Sequence, residues 1–456
     1  NGTNVLSRGG AIALMGGTST ISNSLFMGNY TASVGGLAKG GAIYLYGGAT
    51  LNLDNVEFIG NASGYMRNGF SDLAGIFDVS YTKTTTSKTE TIPKINTSIT
   101  YNTYTISGLS YVNHFATTDI SEINTTFNLF RSRPALWTNG EGGALSYESG
   151  TAIATNSKFI ANFNVGSNGA AVYVLGGYFT AVDTLFEANT GISAGVVYGA
   201  IHNNGAIISK IAGTLGSNNS KFNLNSAISK GSSAFGGAIY NTGTIGKIIN
   251  TDFTNNYVIG KFVAPSNVTT RTRFNSRSGS NWVANVNPTT ENFYSTALGG
   301  AIYNKTKNLL MLYGTDTDGN IVNQTVNSHY FISGNFTATL NAEGTAIDES
   351  SLTRQAIWMA DANSILAFGV SGSAPSSTPI TDNTKTTTLT IDDTISGEYG
   401  FTTVLANPTY ANARMNSSQT ISSSVSSVYP TGIIELTSNA KILNSNVEIS
   451  SVNIDM

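Results

Sequence analysis

The chain has 456 residues, a formal net charge of −3 and no cysteine, and only 11% of its residues are charged. This balance excludes the basic surface on which nucleic acid binding depends, and the lack of cysteine excludes disulfides, thiolate metal sites and thiol nucleophiles. No run of residues approaches the roughly 18 consecutive apolar residues of a membrane-spanning helix.

A composite motif starts near the beginning of the chain and recurs along it. A Gly-Gly-Ala-aliphatic block is followed 17 or 18 residues later by Phe-x-x-Asn. The glycine pairs are Gly9 and Gly10, Gly40 and Gly41, Gly142 and Gly143, Gly236 and Gly237, and Gly299 and Gly300. The Phe and Asn residues are Phe26 and Asn29, Phe58 and Asn61, Phe159 and Asn162, Phe186 and Asn189, Phe222 and Asn225, and Phe253 and Asn256. A constant spacing in an otherwise variable sequence predicts a unit that stacks on copies of itself.

The motif predicts an all-β chain, a right-handed parallel β-solenoid with two inserted non-repeat segments. Paired glycines allow a bend that no Cβ could enter, and the aliphatic residues after them form a short strand. We expect each Phe to point inward and stack on the Phe of the next repeat. We expect the Asn residues on either side of it to tolerate left-handed backbone and to bond one another along the stack.

The repeats divide the chain into five segments. Residues 1–63 and 137–261 carry repeats, and residues 297–456 carry a degenerate continuation that we expect to extend past Met456. Residues 64–136 and 262–296 are predicted inserts. Within the first insert, Asn124 and Phe127 read as a half-copy of the motif. The best helix candidate is the segment from Leu352 to Met359.

The motif pair resembles the repeats of polymorphic outer-membrane proteins, which are autotransporter-like bacterial surface proteins. The resemblance covers residues 1–63 and 137–304 and leaves the inserts outside it. It implies a secreted passenger that displays binding surface outside the cell and is anchored at the outer membrane through a part of the parent protein beyond this chain. Its repeats are structural, so the resemblance implies no catalytic residues.

Several residues could carry chemistry, and each has a simpler structural interpretation. Ser193 lies in a Gly-x-Ser-x-Gly pattern, but the strand–turn–helix that a nucleophile elbow needs is not predicted there. Asp316 and Asp318 could offer oxygen ligands to calcium, although Asp-Gly is also a turn signal. No other cofactor is predicted. Glu57 and Asp252 precede motif Phe residues in repeats that are not adjacent, so no carboxylate pair for glycan cleavage emerges.

Asp392 and Asp393 are a weaker calcium candidate of the same kind, and the three histidines show no ligand spacing. His114, His202 and His329 are far apart in the sequence, and His202 stands where other repeats have Tyr. Aromatic residues in the inserts are the candidate binding residues, because stacking of the repeats does not require them. They are Tyr101, Tyr104, Tyr111, Trp282 and Phe293. The alternative is that each insert packs its own small β-core on the flank of the repeats.

These observations favour a non-enzymatic, adhesin-like protein of the cell surface. Its expected partners are a protein or glycan on a host or neighbouring cell, or copies of itself, and not nucleic acid. The alternative is a self-assembling subunit of an extracellular filament, sheath or surface layer. A polysaccharide-cleaving β-helix enzyme is the third hypothesis.

Overall fold

Parallel strands dominate the structure, a computed structural model that describes residues 6–33, 36–64, 73–92, 97–132, 140–217, 219–269, 272–275, 290–306, 308–322, 324–372, 385–416, 432–450 and 452–455. The prediction of a mostly β chain with long parallel sheets is therefore confirmed. Among these residues, no helix has the length and apolar character that a membrane crossing requires.

One long sheet holds two groups of strands. The first group follows the glycine pairs or pairs in line with the strands that do, and the second follows the motif Asn. The first group is β2 (Ile12–Leu14), β6 (Ile43–Leu45), β12 (Leu145–Tyr147), β16 (Val172–Val174), β21 (Ile201–Asn203), β26 (Ile239–Asn241), β35 (Ile302–Asn304), β39 (Ile347–Met359), β42 (Thr394–Gly397) and β45 (Lys441–Ile442). The second group is β4 (Tyr30–Thr31), β8 (Ala62–Gly64), β15 (Phe163–Val165), β19 (Thr190–Ser193), β24 (Ser226–Ser229), β30 (Tyr257–Gly260) and β38 (Phe336–Leu340).

A second long sheet holds the strands that carry the motif Phe and the residues before it. They are β3 (Thr18–Met27), β7 (Thr50–Ile59), β13 (Thr151–Thr155), β14 (Lys158–Ile160), β17 (Tyr178–Val182), β18 (Leu185–Glu187), β22 (Ile207–Ala212), β23 (Lys221–Asn223), β27 (Thr244–Ile245), β28 (Ile248–Ile249), β29 (Asp252–Thr254), β32 (Arg273–Asn275), β36 (Leu309–Tyr313), β37 (Ser328–Ser333), β40 (Ile365–Val370), β41 (Thr387–Ile391), β43 (Phe401–Ala406), β44 (Ile433–Leu436), β46 (Ser445–Ser450) and β47 (Asn453–Asp455).

Shorter strands and two helices complete the fold. Before the glycine pairs lie β1 (Ser7–Arg8), β5 (Ala38–Lys39), β11 (Gly140–Glu141), β20 (Val197–Tyr198), β25 (Ala234–Phe235) and β34 (Ala297–Leu298). Two antiparallel hairpins are formed by β9 (Phe77–Ile92) with β10 (Thr97–Asn113), and by β31 (Ser266–Thr269) with β33 (Thr290–Phe293). The helices are α1 (Ile120–Arg131) and α2 (Pro408–Asn416).

Each repeat pairs in register with the next, even across the first insert. Ile43 lies opposite Ile12 on one side and Leu145 on the other. At the bend, a Cβ on Gly41 would approach the carbonyl oxygen of Gly143 to 1.9 Å. Only glycine fits there, so the spacing of the glycine pairs sets the register of the repeats.

The motif Phe residues form the predicted stack inside the core. Ring centroids from Phe26 through Phe253 are 4.6 to 5.0 Å apart along the series. Ile332 continues the series, because it lies opposite Phe253. The segment around Phe331 is therefore an ordinary repeat with Ile in the Phe position, and Phe331 itself is partly exposed.

The motif Asn residues form the predicted ladder beside this stack. The side-chain amide of Asn162 donates to Asn189 Oδ1 at 2.9 Å and to the carbonyl oxygen of Phe58 at 3.0 Å. The same pattern runs from Asn29 through Asn335. Left-handed backbone occurs at the Asn before the Phe, as at Asn55 (φ 53°). After the Phe it falls on the residue that precedes the Asn, as at Ala161 (φ 51°), which corrects the prediction for that side.

The first insert docks its base across several repeats. Phe77, Phe127 and Phe130 join one buried cluster with Phe163 and Tyr257 of the repeats. The half-copy predicted at Asn124 and Phe127 is wrong, because both residues lie in α1. A hydrogen bond from the Ile347 amide to Asn124 Oδ1, 2.7 Å long, ties this helix to β39.

The second insert and the last repeats depart further from the sequence prediction. In the insert, β32 pairs in parallel with β46 and so covers the outer edge of that strand. Leu352–Met359 is not helical as predicted but belongs to β39, because Ile357 and Trp358 pair in register with Ile302 and Tyr303. A helix does occur later in the chain, because α2 packs Ala411 against apolar residues on the outer side of the second long sheet.

Candidate functional site

The acids that could have formed a glycan-cleaving pair are each beside a lysine. Glu57 lies opposite Lys158, and their charged groups are 2.7 Å apart. Asp252 lies opposite Lys221 and accepts a hydrogen bond from the backbone amide of Phe331 at 2.8 Å. Burial raises the pKa of Asp252 to about 6. These positions support packing between repeats and bring no two carboxylates together.

Ser193 lies at the end of a buried strand. Its Oγ accepts a hydrogen bond from the amide of Gly195 at 3.0 Å. The next element is the short strand β20, so the local order is strand–turn–strand. This geometry closes a turn and lacks the helix that presents a nucleophile in a hydrolase elbow.

The three histidines lie in separate environments. His202 is buried among the rings of Tyr173, Tyr198 and Tyr240, and burial lowers its pKa to about 3. His114 contacts Asp78, with 2.9 Å between Nε2 and the carboxylate. His329 Nε2 lies 2.7 Å from the hydroxyl of Thr390. Within the described ranges, no three His, Cys, Asp or Glu side chains are grouped as metal ligands would be.

The carboxylates of Asp316 and Asp318 form hydrogen bonds and an ion pair that hold their own loop in place. Asp316 Oδ1 accepts from the amides of Asp318 and Asn320 at 2.9 and 2.8 Å, which is the hydrogen bonding of an Asx turn. Asp318 pairs with Lys210, whose Nζ lies 2.6 Å away, and Lys247 donates to the Asp318 carbonyl oxygen. Two ammonium groups on this loop weigh against calcium, since they already occupy the oxygen atoms that the cation would use.

The insert aromatics are placed unevenly. Tyr111 is partly buried, with its ring 5.8 Å from that of Phe77. A Cβ on Gly60 would lie 2.4 Å from the Tyr111 ring, so this tyrosine packs at the base of the hairpin. Tyr101 and Tyr104 lie in β10 and Phe293 in β33, while their side chains fall outside what the structure describes. Trp282 lies outside the described residues altogether.

The structure reveals an exposed apolar row that the sequence analysis missed. We call this set of residues the second-turn row, because its members lie at the glycine-rich turns that join the first long sheet to the second. Its members are Met15, Tyr46, Leu175, Tyr178 and Ile207. Met15, which directly follows β2, is 72% exposed, and Tyr178, the first residue of β17, is 50% exposed.

Backbone pairing places the members of the second-turn row along one edge of the stack. The Tyr46 amide donates to the carbonyl oxygen of Leu14, the residue before Met15, at 2.9 Å. Glu148 occupies the equivalent place in the next repeat, before Leu175. Tyr178 pairs in register with Ile207. A sequence signal existed, because a large apolar residue directly precedes a Gly-Gly turn at Met15, Tyr46 and Leu175.

Charged groups lie beside this row and, at Glu148, within it. The Arg8 guanidinium lies 5.2 Å from the ring centre of Tyr44 and 5.7 Å from that of Tyr46. Lys39 is buried between Glu141 and Glu148, at 3.1 and 2.5 Å. Lys39 and its hydrogen bonds hold the pKa of Glu148 below its usual value despite partial desolvation. An apolar strip with a charged border is the usual composition of a recognition surface.

Comparison of the chain with protein-family models, with curated proteins and with solved structures finds no match.

Proposed function

We propose that this chain is a non-enzymatic, adhesin-like display protein, a right-handed parallel β-solenoid on the surface of a bacterial cell. The second-turn row carries the proposal. It consists of large apolar side chains that the buried core does not use, repeated along one edge of a stiff stack. Repetition of weak contacts along such an edge gives avidity that no single contact could supply.

The chemistry of the row favours a protein partner. Met15, Leu175 and Ile207 offer aliphatic surface, and Tyr46 and Tyr178 offer aromatic surface with a polar end. Aromatic residues and Met are enriched at protein interfaces, and exposed apolar patches on soluble proteins commonly mark such interfaces. The repeated Phe and Asn side chains are engaged in the core, which leaves recognition to the turns.

The location outside the cell rests on the resemblance of the Gly-Gly-Ala-Ile and Phe-x-x-Asn motifs to outer-membrane passenger repeats.

Binding of the labelled protein to intact cells tests the proposal. The test variant replaces Met15, Tyr46 and Tyr178 with Ser. The matched control replaces Leu25, Leu352 and Phe262 with Ser, because these are also large exposed apolar residues but lie away from these turns. We expect the test variant to lose at least about tenfold in apparent affinity and the control to lose less than about twofold.

Pretreatment of the cells identifies the kind of partner. Protease treatment should abolish binding, while periodate oxidation of surface glycans should leave it intact. Equal losses in the test and control variants would contradict the role of the row. Ordered polymers of the purified protein, together with no cell binding, would favour the self-assembling subunit instead.

A further inference from the structure

The hairpin of β9 and β10 is a long two-stranded arm. The strands contain 16 and 17 residues and pair antiparallel from Thr97 opposite Ile92 to Asn113 opposite Phe77. At about 3.3 Å per residue, the arm is about 50 Å long. Among the strands that the structure describes, β9 and β10 pair only with each other.

The base of the arm packs against the rest of the molecule. Phe77 contacts Phe163 with ring centres 6.0 Å apart, and the Asn113 side chain donates to the carbonyl oxygen of Ala188 at 2.6 Å. Farther out, the consecutive residues 84–87 are all exposed, so both faces of β9 meet solvent there. A two-stranded ribbon without a packed face is marginally stable in water, and a further strand along an edge would stabilise it.

The two edges of the arm differ in their protection against pairing. Strand β9 carries Lys83, Lys88 and Glu90, and charged residues, lysine above all, are the usual means of blocking an exposed edge. Strand β10 has no charged residue and no proline in its whole length. Its sequence is rich in Thr, Tyr and Ile, which favour extended structure. The unprotected edge is therefore that of β10.

The sequence of β10 is also self-complementary. Residues 98–107 read Ser-Ile-Thr-Tyr-Asn-Thr-Tyr-Thr-Ile-Ser, almost the same in both directions. A two-fold axis normal to the sheet at Asn102 would place Thr103 opposite Tyr101 and Thr100 opposite Tyr104 of the second copy. Aromatic and β-branched pairs are favourable cross-strand neighbours, and no like charges would meet. Closed two-fold pairing is also the commonest symmetry of homo-oligomers.

We propose that two copies of this chain associate through antiparallel pairing of their β10 strands. Each copy contributes a hairpin to a four-stranded sheet in the order β9, β10, β10 and β9. The partner is a second copy because the uncharged edge of β10 would there meet Thr, Tyr, Ile and Asn of another β10 and no charged residue.

Sedimentation of the full chain over a range of concentrations measures the association. The test variant carries Thr103→Lys and Thr105→Lys on β10. The matched control carries Thr84→Lys and Thr86→Lys, which lie directly opposite these residues on β9. We expect the parent to dimerise, the test variant to dimerise at least about tenfold more weakly, and the control to match the parent.

Cysteine crosslinking provides a second measurement, because the chain has no cysteine of its own. Of the single variants Asn102→Cys and Thr103→Cys, at least one should form a covalent dimer on mild oxidation, whereas Thr86→Cys should not. A monomeric parent at every concentration, equal weakening by both lysine pairs, or equal crosslinking from β9 would overturn the proposal. None of these outcomes depends on cell binding by the second-turn row.

Discussion

The side-chain amide of Asn335 donates to Asp393 Oδ2 at 2.8 Å, and with this bond the Asn ladder ends on a carboxylate. Asp393 also accepts from the backbone amides of Asn335 and Gly334, at 2.9 and 3.1 Å. Asn61 and each later Asn of the ladder both accept and donate, and Asn29 donates to Asn61, whereas a carboxylate can only accept. The ladder therefore has a direction, from Asn29 toward Asp393.

Removing a central rung should be costly. In Asn162→Ala, the buried backbone and side-chain donors of Asn61 lose their acceptor. Asn189 Oδ1 and the carbonyl oxygen of Phe58 each lose one donor. Each unsatisfied buried group costs about 1–3 kcal/mol, so we expect a loss of about 3 kcal/mol or more in the free energy of unfolding. Chemical denaturation measures it. Asn29→Ala is the control, because Asn29 is only partly buried and should cost less; equal losses would contradict the ladder's role.

His202→Tyr should protect the protein against acid. The folded-state pKa of His202 is about 3, below the ordinary value of 6.5, so the unfolded chain takes up a proton first as the pH falls. That uptake lowers stability from about pH 6.5 downward, by about 2 kcal/mol at about pH 5. Tyr occupies the same strand position at Tyr173 and Tyr240.

Thermal unfolding of the parent and the His202→Tyr variant checks this expectation. The stability gained by the variant should be larger at about pH 5 than at about pH 8, because only the parent carries a titrating group at this position. A difference that does not change with pH would show that His202 is not buried in its neutral form.

Asp252→Asn should have the opposite pH dependence. Burial raises the pKa of Asp252 to about 6 in the folded state, so the unfolded state ionises first as the pH rises. The parent then loses stability between about pH 4 and 6, by up to about 3 kcal/mol. The variant keeps an oxygen acceptor for the Phe331 amide without the charge.

We therefore expect the Asp252→Asn variant to match the parent at about pH 4 and to exceed its stability at about pH 7. Denaturant titrations at the two pH values measure the difference. A variant that is less stable than the parent at neutral pH would mean that the charge on Asp252 stabilises the fold through Lys221.

Arg414→Ala should destabilise the packing of α2. Arg414 and Glu448 form a buried bidentate ion pair, with Nε and Nη2 each 2.7 Å from a carboxylate oxygen. Removing Arg414 leaves the buried Glu448 carboxylate without a partner, which lowers the free energy of unfolding by about 3–5 kcal/mol. The double variant Arg414→Met with Glu448→Leu removes both charges and should recover most of this loss. Denaturation of the three proteins checks the expectation, and a double variant as unstable as the single one would contradict it.

The sequence predicted those features that depend on contacts between equivalent residues of neighbouring repeats. The Phe stack and the Asn ladder follow from one spacing, because a one-residue shift would expose every inward Phe. Helix α1 was missed because Asn124 and Phe127 match the Asn-x-x-Phe part of the repeat motif. The segment is helical because Asp119 caps its N-terminus and its apolar residues pack on the repeats. The segment from Leu352 to Met359 was misassigned because its pairing with β35 overrides its helical spacing.

The candidate site was harder to predict for a physical reason. The Gly-Gly turns after Met15 and Tyr46 mark the position of the row in the sequence, but exposure there depends on how the chain leaves the strand at the turn. Tyr111 looked available for binding, yet it packs against Gly60 because the base of the hairpin folds back on the repeats. Exposure in both cases is decided by distant parts of the chain.

The register of the stack across the first insert is the central claim, and a disulfide test addresses it most directly. Glu57 and Lys158 lie in register on adjacent strands, whereas Leu185 lies one strand farther along. Adjacent strands are about 4.8 Å apart, within the Cα separation that a disulfide allows. The variant Glu57→Cys with Lys158→Cys should form an intramolecular disulfide on oxidation, while Glu57→Cys with Leu185→Cys should stay reduced. Failure of the first pair to close, or equal closure of the second, would contradict the account.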